Sequence, residues 1–267
     1  SQGDTRHGRR QHASRTGRRA VSQNHLQGGL QARWQAVRER VDAACRAAGR
    51  DPSEVGILPV SKTFPVEVIR EAVSFGLRRF GENKVQEIKA KSEPLADCAI
   101  DWVMIGHLQT NKVKEVARLV SEVQSLDRME LAEALQKRLQ IEGRSLDVLV
   151  QVKTSTEETK YGLPADELPG FLDALRSFDT LRVRGLMTLA VNSEDESRVR
   201  TCFRMLRELR EQAMASGHDV PRLSMGMSGD FALAIAEGAT EVRIGTAIFG
   251  ERAYPDSYYW PEKPNPV

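Results

Sequence analysis

The 267-residue sequence predicts an α/β fold, a single TIM-like (β/α)8 barrel, and three observations predict it. Eight short apolar runs recur along the chain, helical patterns separate them, and the length matches the about 250 residues of such a barrel. Alternating strands and helices imply a parallel sheet that eight strands can close. An open doubly wound sheet has the same periodicity and remains the structural alternative.

Leu30, Trp34, Val37, Val41, Cys45 and Ala48 recur at three- and four-residue spacing and line one face of a helix that precedes the first strand; Gly49 stops it. After the Asp51-Pro52-Ser53 turn, residues 55–61 form the first candidate strand, and a helical pattern starts at Pro65. The other candidate strands are residues 77–80, 102–105, 122–125, 147–152, 181–186, 222–225 and 241–244. The clearest of the intervening helices carries Val199, Cys202, Phe203, Leu206 and Leu209, with a capping box expected from Ser193 to Glu196.

Three segments follow: an Arg-rich tail over 1–27, expected to be disordered, a barrel over 28–255 and a C-terminal extension over 256–267. The whole-chain charge is +2, but the first 25 residues hold six arginines against one acid, Asp4. Without them, 33 basic side chains face 36 acidic ones, so the expected barrel is mildly acidic and nucleic acid is not its expected partner. The tail has too few apolar side chains to offset the entropy of ordering. No apolar run approaches the about 20 residues of a membrane span, and a soluble cytoplasmic protein is expected. Cys45, Cys98 and Cys202 lie far apart without a metal-ligand spacing, and buried reduced thiols are the expectation.

In barrels of this kind the working residues stand where strands end. Here those ends are polar: Lys62, Asn83, His107, Asp127, Lys153, Thr188, Ser224 with Ser228, and Arg243 with Thr246. Lys62 closes the run GILPVSK, where apolar walls would partly desolvate its amine and favour Schiff-base chemistry; a lysine after a strand is also a common solvated loop residue. Arg243 alternates with Val242 and Ile244, so it points into the barrel if they face the helices. A guanidinium there needs either a structural carboxylate or a bound acceptor. Gly245-Thr246 after strand eight and Ser228-Gly229 at a helix start after strand seven would suit a phosphate, although Ser228 also fits a plain N-cap.

Six segments together resemble the pyridoxal 5'-phosphate (PLP) homeostasis protein family, a barrel group related to the N-terminal domain of alanine racemase. They are PVSKTFP, FGENKVQE, WVMIGHLQTNK, TKYGL, RGLMTLA and LSMGMSGDFALAIAEGATEVRIGTAIFGER, in order between residues 30 and 255. The resemblance implies that Lys62 forms the Schiff base with PLP and that Asn83 lines the cofactor face. It further implies that Ser228, Gly245 and Thr246 hold the phosphate, that Arg243 faces the pyridine nitrogen and that Met225 lies near the ring. Lys160 matches a position tied to secondary PLP binding. Phe64 replaces a second lysine common in the family, Lys84 an aromatic and His107 a proline, so a transfer role for that second lysine is in doubt.

An arginine opposite the pyridine nitrogen does not favour its protonated, electron-withdrawing form, and no second domain is expected to supply an opposing base. The expected function is therefore a non-catalytic carrier serving PLP homeostasis and delivery to apo-enzymes, as a monomer or weak homodimer. Two alternatives use the same lysine: a PLP-dependent amino-acid racemase, and a cofactor-free aldolase that leaves Arg243 without a role.

Overall fold

The computed structural model describes residues 29–156, 161–251 and shows eight parallel strands in the order β1-β8-β7-β6-β5-β4-β3-β2. The strands are β1 (Gly56–Pro59), β2 (Arg79–Glu82), β3 (Asp101–Met104), β4 (Val120–Leu126), β5 (Leu146–Gln151), β6 (Leu181–Met187), β7 (Arg222–Ser224) and β8 (Glu241–Ile244). The ring is completed between β1 and β2 by the bridge from Val60 to Gly81 and by Ser61 N donating to Gly81 O at 3.0 Å. A Cβ on Gly81 would fall 3.1 Å from Leu58 Cδ2 and 3.3 Å from Ile105 Cδ1, so glycine there leaves room for the interior side chains. The closed arrangement excludes the open doubly wound sheet.

The helices are α1 (Leu30–Ala47), α2 (Val66–Ser74), α3 (Val85–Ser92), α4 (Val113–Leu119), α5 (Met129–Glu142), α6 (Leu168–Leu175), α7 (Glu196–Ala215), α8 (Phe231–Ala236) and α9 (Thr246–Phe249). Their apolar faces meet the outer wall of the barrel in one continuous core. The extra helix α1 buries Leu30, Val37, Val41 and Cys45, and each fully buried Val or Leu contributes about 1.5–3 kcal/mol. Polar bonds then fix it beside β8: Arg33 Nε donates to Ile248 O at 2.9 Å, and Arg50 donates to Ile235 O and Ala239 O at 2.8 Å. Gly49, at φ +69°, ends the helix as its sequence implies.

Two local expectations need correction. The second strand starts at Arg79 rather than Leu77, because Leu77 N bonds back to Ala72 O and Gly76 N to Val73 O, a Schellman closure of α2 that consumes Leu77. The cap of α7 is Asp195, whose carboxylate accepts from Ser197 N at 3.0 Å; Ser193 instead accepts from Asp195 N. Aspartate two residues nearer the helix reaches the orphan amide directly.

The thiols of Cys45, Cys98 and Cys202 are all buried and free. No helix among the described residues is long and apolar enough to cross a membrane. The Arg-rich tail over 1–27, Lys160 and the extension over 256–267 lie outside the described residues.

Candidate cofactor site at the barrel mouth

Inside the barrel, the inward positions of β2, β4, β7 and β8 are polar. At the amino-terminal end, Arg79 pairs with Glu122 and Glu241, and Arg222 pairs with Glu122. Burial pushes the Glu122 carboxyl up, but the Arg222 hydrogen bond and the charges of Arg79 and Arg222 win and hold it below the usual range. One layer higher, Gln124 Nε2 donates to Glu122 Oε2 at 2.8 Å and to Glu241 Oε1 at 2.7 Å. Its Oε1 accepts from Ser224 Oγ at 2.6 Å, and Ser224 Oγ accepts from Arg243 Nη1 at 2.7 Å. The second terminal nitrogen of Arg243 donates to Thr188 O at 3.0 Å. A continuous polar column thus rises from the barrel floor and ends at Arg243.

Arg243 is 3% exposed and points inward, as the alternation with Val242 and Ile244 predicts. Among the described residues no carboxylate lies within ion-pair distance of it, which removes the structural salt bridge as its explanation. Complete burial lowers its pKa to about 10, so it remains a cation at neutral pH. A buried guanidinium compensated only by a hydroxyl and a carbonyl is costly to fold. The residue lines the open mouth, where an acceptor can reach it.

That mouth is a cavity of about 1550 Å³ at the carboxyl ends of the strands, and Lys62, Asn83, Ser228, Arg243, Gly245 and Thr246 all line it. Lys62 is half-buried, as an amine at the edge of an apolar wall should be. Asn83 is held from behind by Gly106, where a Cβ would fall 2.2 Å from Asn83 O, so only glycine permits this approach. Ser228 sits in a turn entered through Gly226 at φ +100°. Arg243 N donates to Gly226 O at 2.9 Å, which ties this turn to β8 beside the Gly245-Thr246 loop.

Two predicted details change. Met225 is wholly buried and does not line the mouth, whereas Met227, two residues on in the same turn, does. Met225, the first residue after β7, packs in the core cluster instead. Ser228 is not the N-cap of α8; that position is Asp230, whose Oδ1 accepts from Met227 N at 2.7 Å. The helices after β7 and β8 have only six and four residues, so their dipoles are small and backbone N–H groups with the Ser228 and Thr246 hydroxyls are the better anion donors.

The remaining strand ends separate into roles. Thr188 hydrogen-bonds Thr154 and Val152 O, each at 2.8 Å, and Asp127 accepts from Gly162 N at 2.9 Å; both are structural. His107 stacks on Tyr161 with ring centroids 3.7 Å apart. Burial, then the charge of Arg128, lowers its pKa, and its Nδ1 is buried without a hydrogen-bond partner among the described residues. Phe64 packs in the core with its ring centroid 5.2 Å from that of Phe249; the position therefore adds no amine to the mouth.

Sequence reasoning missed a second buried group behind Lys62. Glu82 at the end of β2 and Glu87 and Lys91 on α3 form a cluster with Lys91 Nζ at 2.6 Å and 2.9 Å from the two carboxylates. The i, i+4 spacing of Glu87 and Lys91 was its available signal, but that pattern usually marks a solvated face. Burial, reinforced by Glu87 and opposed by Lys91 and Ser61, pushes Glu82 up to about 8. The folded protein then binds this proton more tightly than the unfolded chain, so Glu82 lowers stability as pH rises from about 4.5 to about 8. Glu82→Gln keeps an acceptor oxygen and removes the titration. Its melting temperature should fall less than wild type between mildly acidic and mildly alkaline buffer, and parallel curves would refute the assignment.

An eight-stranded parallel barrel with a lysine, a buried arginine and two glycine-containing loops at its mouth defines a class. The family model described as alanine racemase, N-terminal domain, matches residues 33–253. The pyridoxal phosphate homeostasis protein of Aquifex aeolicus is 45% identical over 223 residues, covering 83% of this chain and 98% of that protein. Its Pseudomonas aeruginosa counterpart is 42% identical, covering 82% and 94%. The structure of PipY from Synechococcus elongatus with PLP bound superposes with a TM-score of 0.74 at 34% identity, covering 83% of this chain and all of that one. The chain belongs to the pyridoxal phosphate homeostasis protein family, within the alanine racemase N-terminal domain class.

Proposed function

We propose that this chain holds PLP at the barrel mouth through Lys62 and serves its storage and delivery within the cell. The observation that carries the reading is Arg243: a buried cation with no carboxylate in ion-pair range among the described residues, lining the same cavity as a half-buried lysine. When bound, the cofactor supplies an aldehyde that a primary amine can capture with loss of water, together with a phosphate and a pyridine nitrogen. Each has a matching group. Lys62 offers the amine, Ser228, Gly245 and Thr246 offer donors for the phosphate, and Asn83 borders the face between them. Arg243 would face the pyridine nitrogen as a donor, and because it keeps its proton it would leave that nitrogen unprotonated and a weak electron sink. The bound PLP in the homologous PipY structure supports the same reading. Apo-enzymes in the cytoplasm are the proposed recipients.

Carrier and racemase separate by turnover. His107 and Tyr161 also line the mouth, where their rings are stacked on each other. PLP-loaded protein given L- or D-amino acids should release PLP without sustained racemisation or transamination, followed by chiral chromatography of the amino acid. Repeated turnovers that disappear in Lys62→Ala would establish the enzyme instead.

A further inference from the structure

We propose that the buried Glu82, Glu87 and Lys91 cluster is the positioning device for Lys62, gripping the backbone on both sides of that lysine so that its side chain enters the mouth. The inference rests on Lys62 being the attachment point. On one side, Ser61 O accepts from Lys91 Nζ at 2.9 Å and Ser61 Oγ donates to Glu82 Oε1 at 2.7 Å. On the other, Thr63 N donates to Glu87 Oε2 at 2.8 Å. The single ammonium of Lys91 joins the two carboxylates. Strand β2, helix α3 and the 61–63 segment are thereby locked into one unit.

The backbone at Thr63 shows that the grip has work to do. Its φ is +67°, a left-handed conformation that a β-branched residue adopts only when its surroundings over-determine it. The threonine hydroxyl does not supply the restraint, because Oγ1 is buried without a hydrogen-bond partner among the described residues. The restraint is the charged acceptor on its N–H. With Ser61 and Thr63 both anchored, the residue between them has little backbone freedom, and its side chain leaves the turn toward the cavity.

Stability alone does not account for the cluster. The side chains of Glu82, Glu87 and Lys91 are no more than 3% exposed, and taking such groups out of water carries a desolvation cost that their mutual attraction offsets only in part. Apolar residues of similar volume would commonly serve a fold as well or better. What apolar residues cannot do is accept the Thr63 N–H or bond the Ser61 carbonyl and hydroxyl. Directional bonding to the segment that carries Lys62 is what the charged set adds.

Glu87→Leu separates positioning from folding, because it leaves Lys91 and Glu82 paired one to one while removing the acceptor of Thr63 N–H together with the second carboxyl contact of Lys91. Glu87→Gln restores an acceptor oxygen. Two readouts on the full chain are needed: amide hydrogen exchange at Thr63 in the PLP-free protein, and the rate of covalent attachment after mixing with PLP. Loss of a hydrogen bond to a charged group predicts exchange about tenfold faster and attachment about tenfold slower in Glu87→Leu, with Glu87→Gln within about threefold of wild type in both. Unchanged exchange and attachment in Glu87→Leu would overturn the proposal, as would a lowered melting temperature with unchanged attachment. If Glu87→Leu fails to fold, Ser61→Ala, which cuts only the hydroxyl bond to Glu82, must slow attachment; an unchanged rate there also overturns it. A wild-type protein that takes no PLP on Lys62 refutes the underlying assignment, and Thr63 exchange still reports on the grip by itself.

Discussion

Arg243→Ala is expected to lose PLP about 10- to 100-fold more readily than wild type while keeping its fold, because it removes one charge-assisted contact worth about 1.5–3 kcal/mol to the ligand. The expectation for stability is as specific. Arg243 has a hydroxyl and a carbonyl as partners and no carboxylate in ion-pair range among the described residues. Its removal abolishes the desolvation cost of a buried charge, and the vacated space opens to the mouth, where water can enter. The melting temperature of the PLP-free variant should stay within a few degrees of wild type. Glu122 is the useful contrast, since its loss would leave Arg79 and Arg222 to share the single carboxylate of Glu241, at a cost approaching the ~3–5 kcal/mol of a broken buried pair. Equilibrium dialysis and thermal melts on Arg243→Ala separate the two roles. Unchanged PLP affinity with a collapsed melting temperature would make Arg243 structural and remove the main support for the site.

The different behaviour expected of these neighbours follows from the polar column. Arg79, Glu122, Gln124 and Glu241 satisfy one another and need no ligand. Ser224 and Arg243 stand at the upper end, where the protein runs out of acceptors just as the mouth opens. This gradient, from a neutral ion network at the floor to an under-compensated cation at the top, directs an acceptor to one place.

Much of this was legible in the sequence because strand ends and inward positions obey simple periodicities. Residue 243 could be placed inside from its two apolar neighbours alone, and Lys62, Asn83, His107, Ser228, Arg243 and Thr246 among the polar strand ends meet at one mouth. The same logic extends to Glu122 and Gln124, whose two-residue spacing matches that of Glu241 and Arg243, although the bonds joining them are long-range and no local pattern encodes them. Met225 shows where the method stops. Past the last paired residue of β7 the alternation is no longer held by a ladder, and Gly226 turns the chain so that Met227 faces the cavity. The cluster behind Lys62 was hidden for another reason. Glu87 and Lys91 look like an ordinary surface pair, and only packing of α3 against the β1 and β2 ends takes them out of water. Phe64 was read as a missing lysine; the structure gives it a positive role against Phe249 in the core.

Lys62→Ala is expected to have the largest effect of all, abolishing covalent retention of PLP rather than weakening it. The other mouth residues would still attract the phosphate and ring, so reversible binding should persist at lower affinity and be removed by gel filtration. The Lys62 side chain is half-buried at the rim, and its truncation should cost the fold little. Borohydride treatment of PLP-loaded wild-type protein, followed by peptide mass mapping, reads the attachment point directly. The account predicts a reduced PLP adduct on the peptide carrying Lys62 and none at that position in Lys62→Ala. An adduct found on another lysine with Lys62 unmodified, or wild-type protein that cannot be loaded at all, would contradict it.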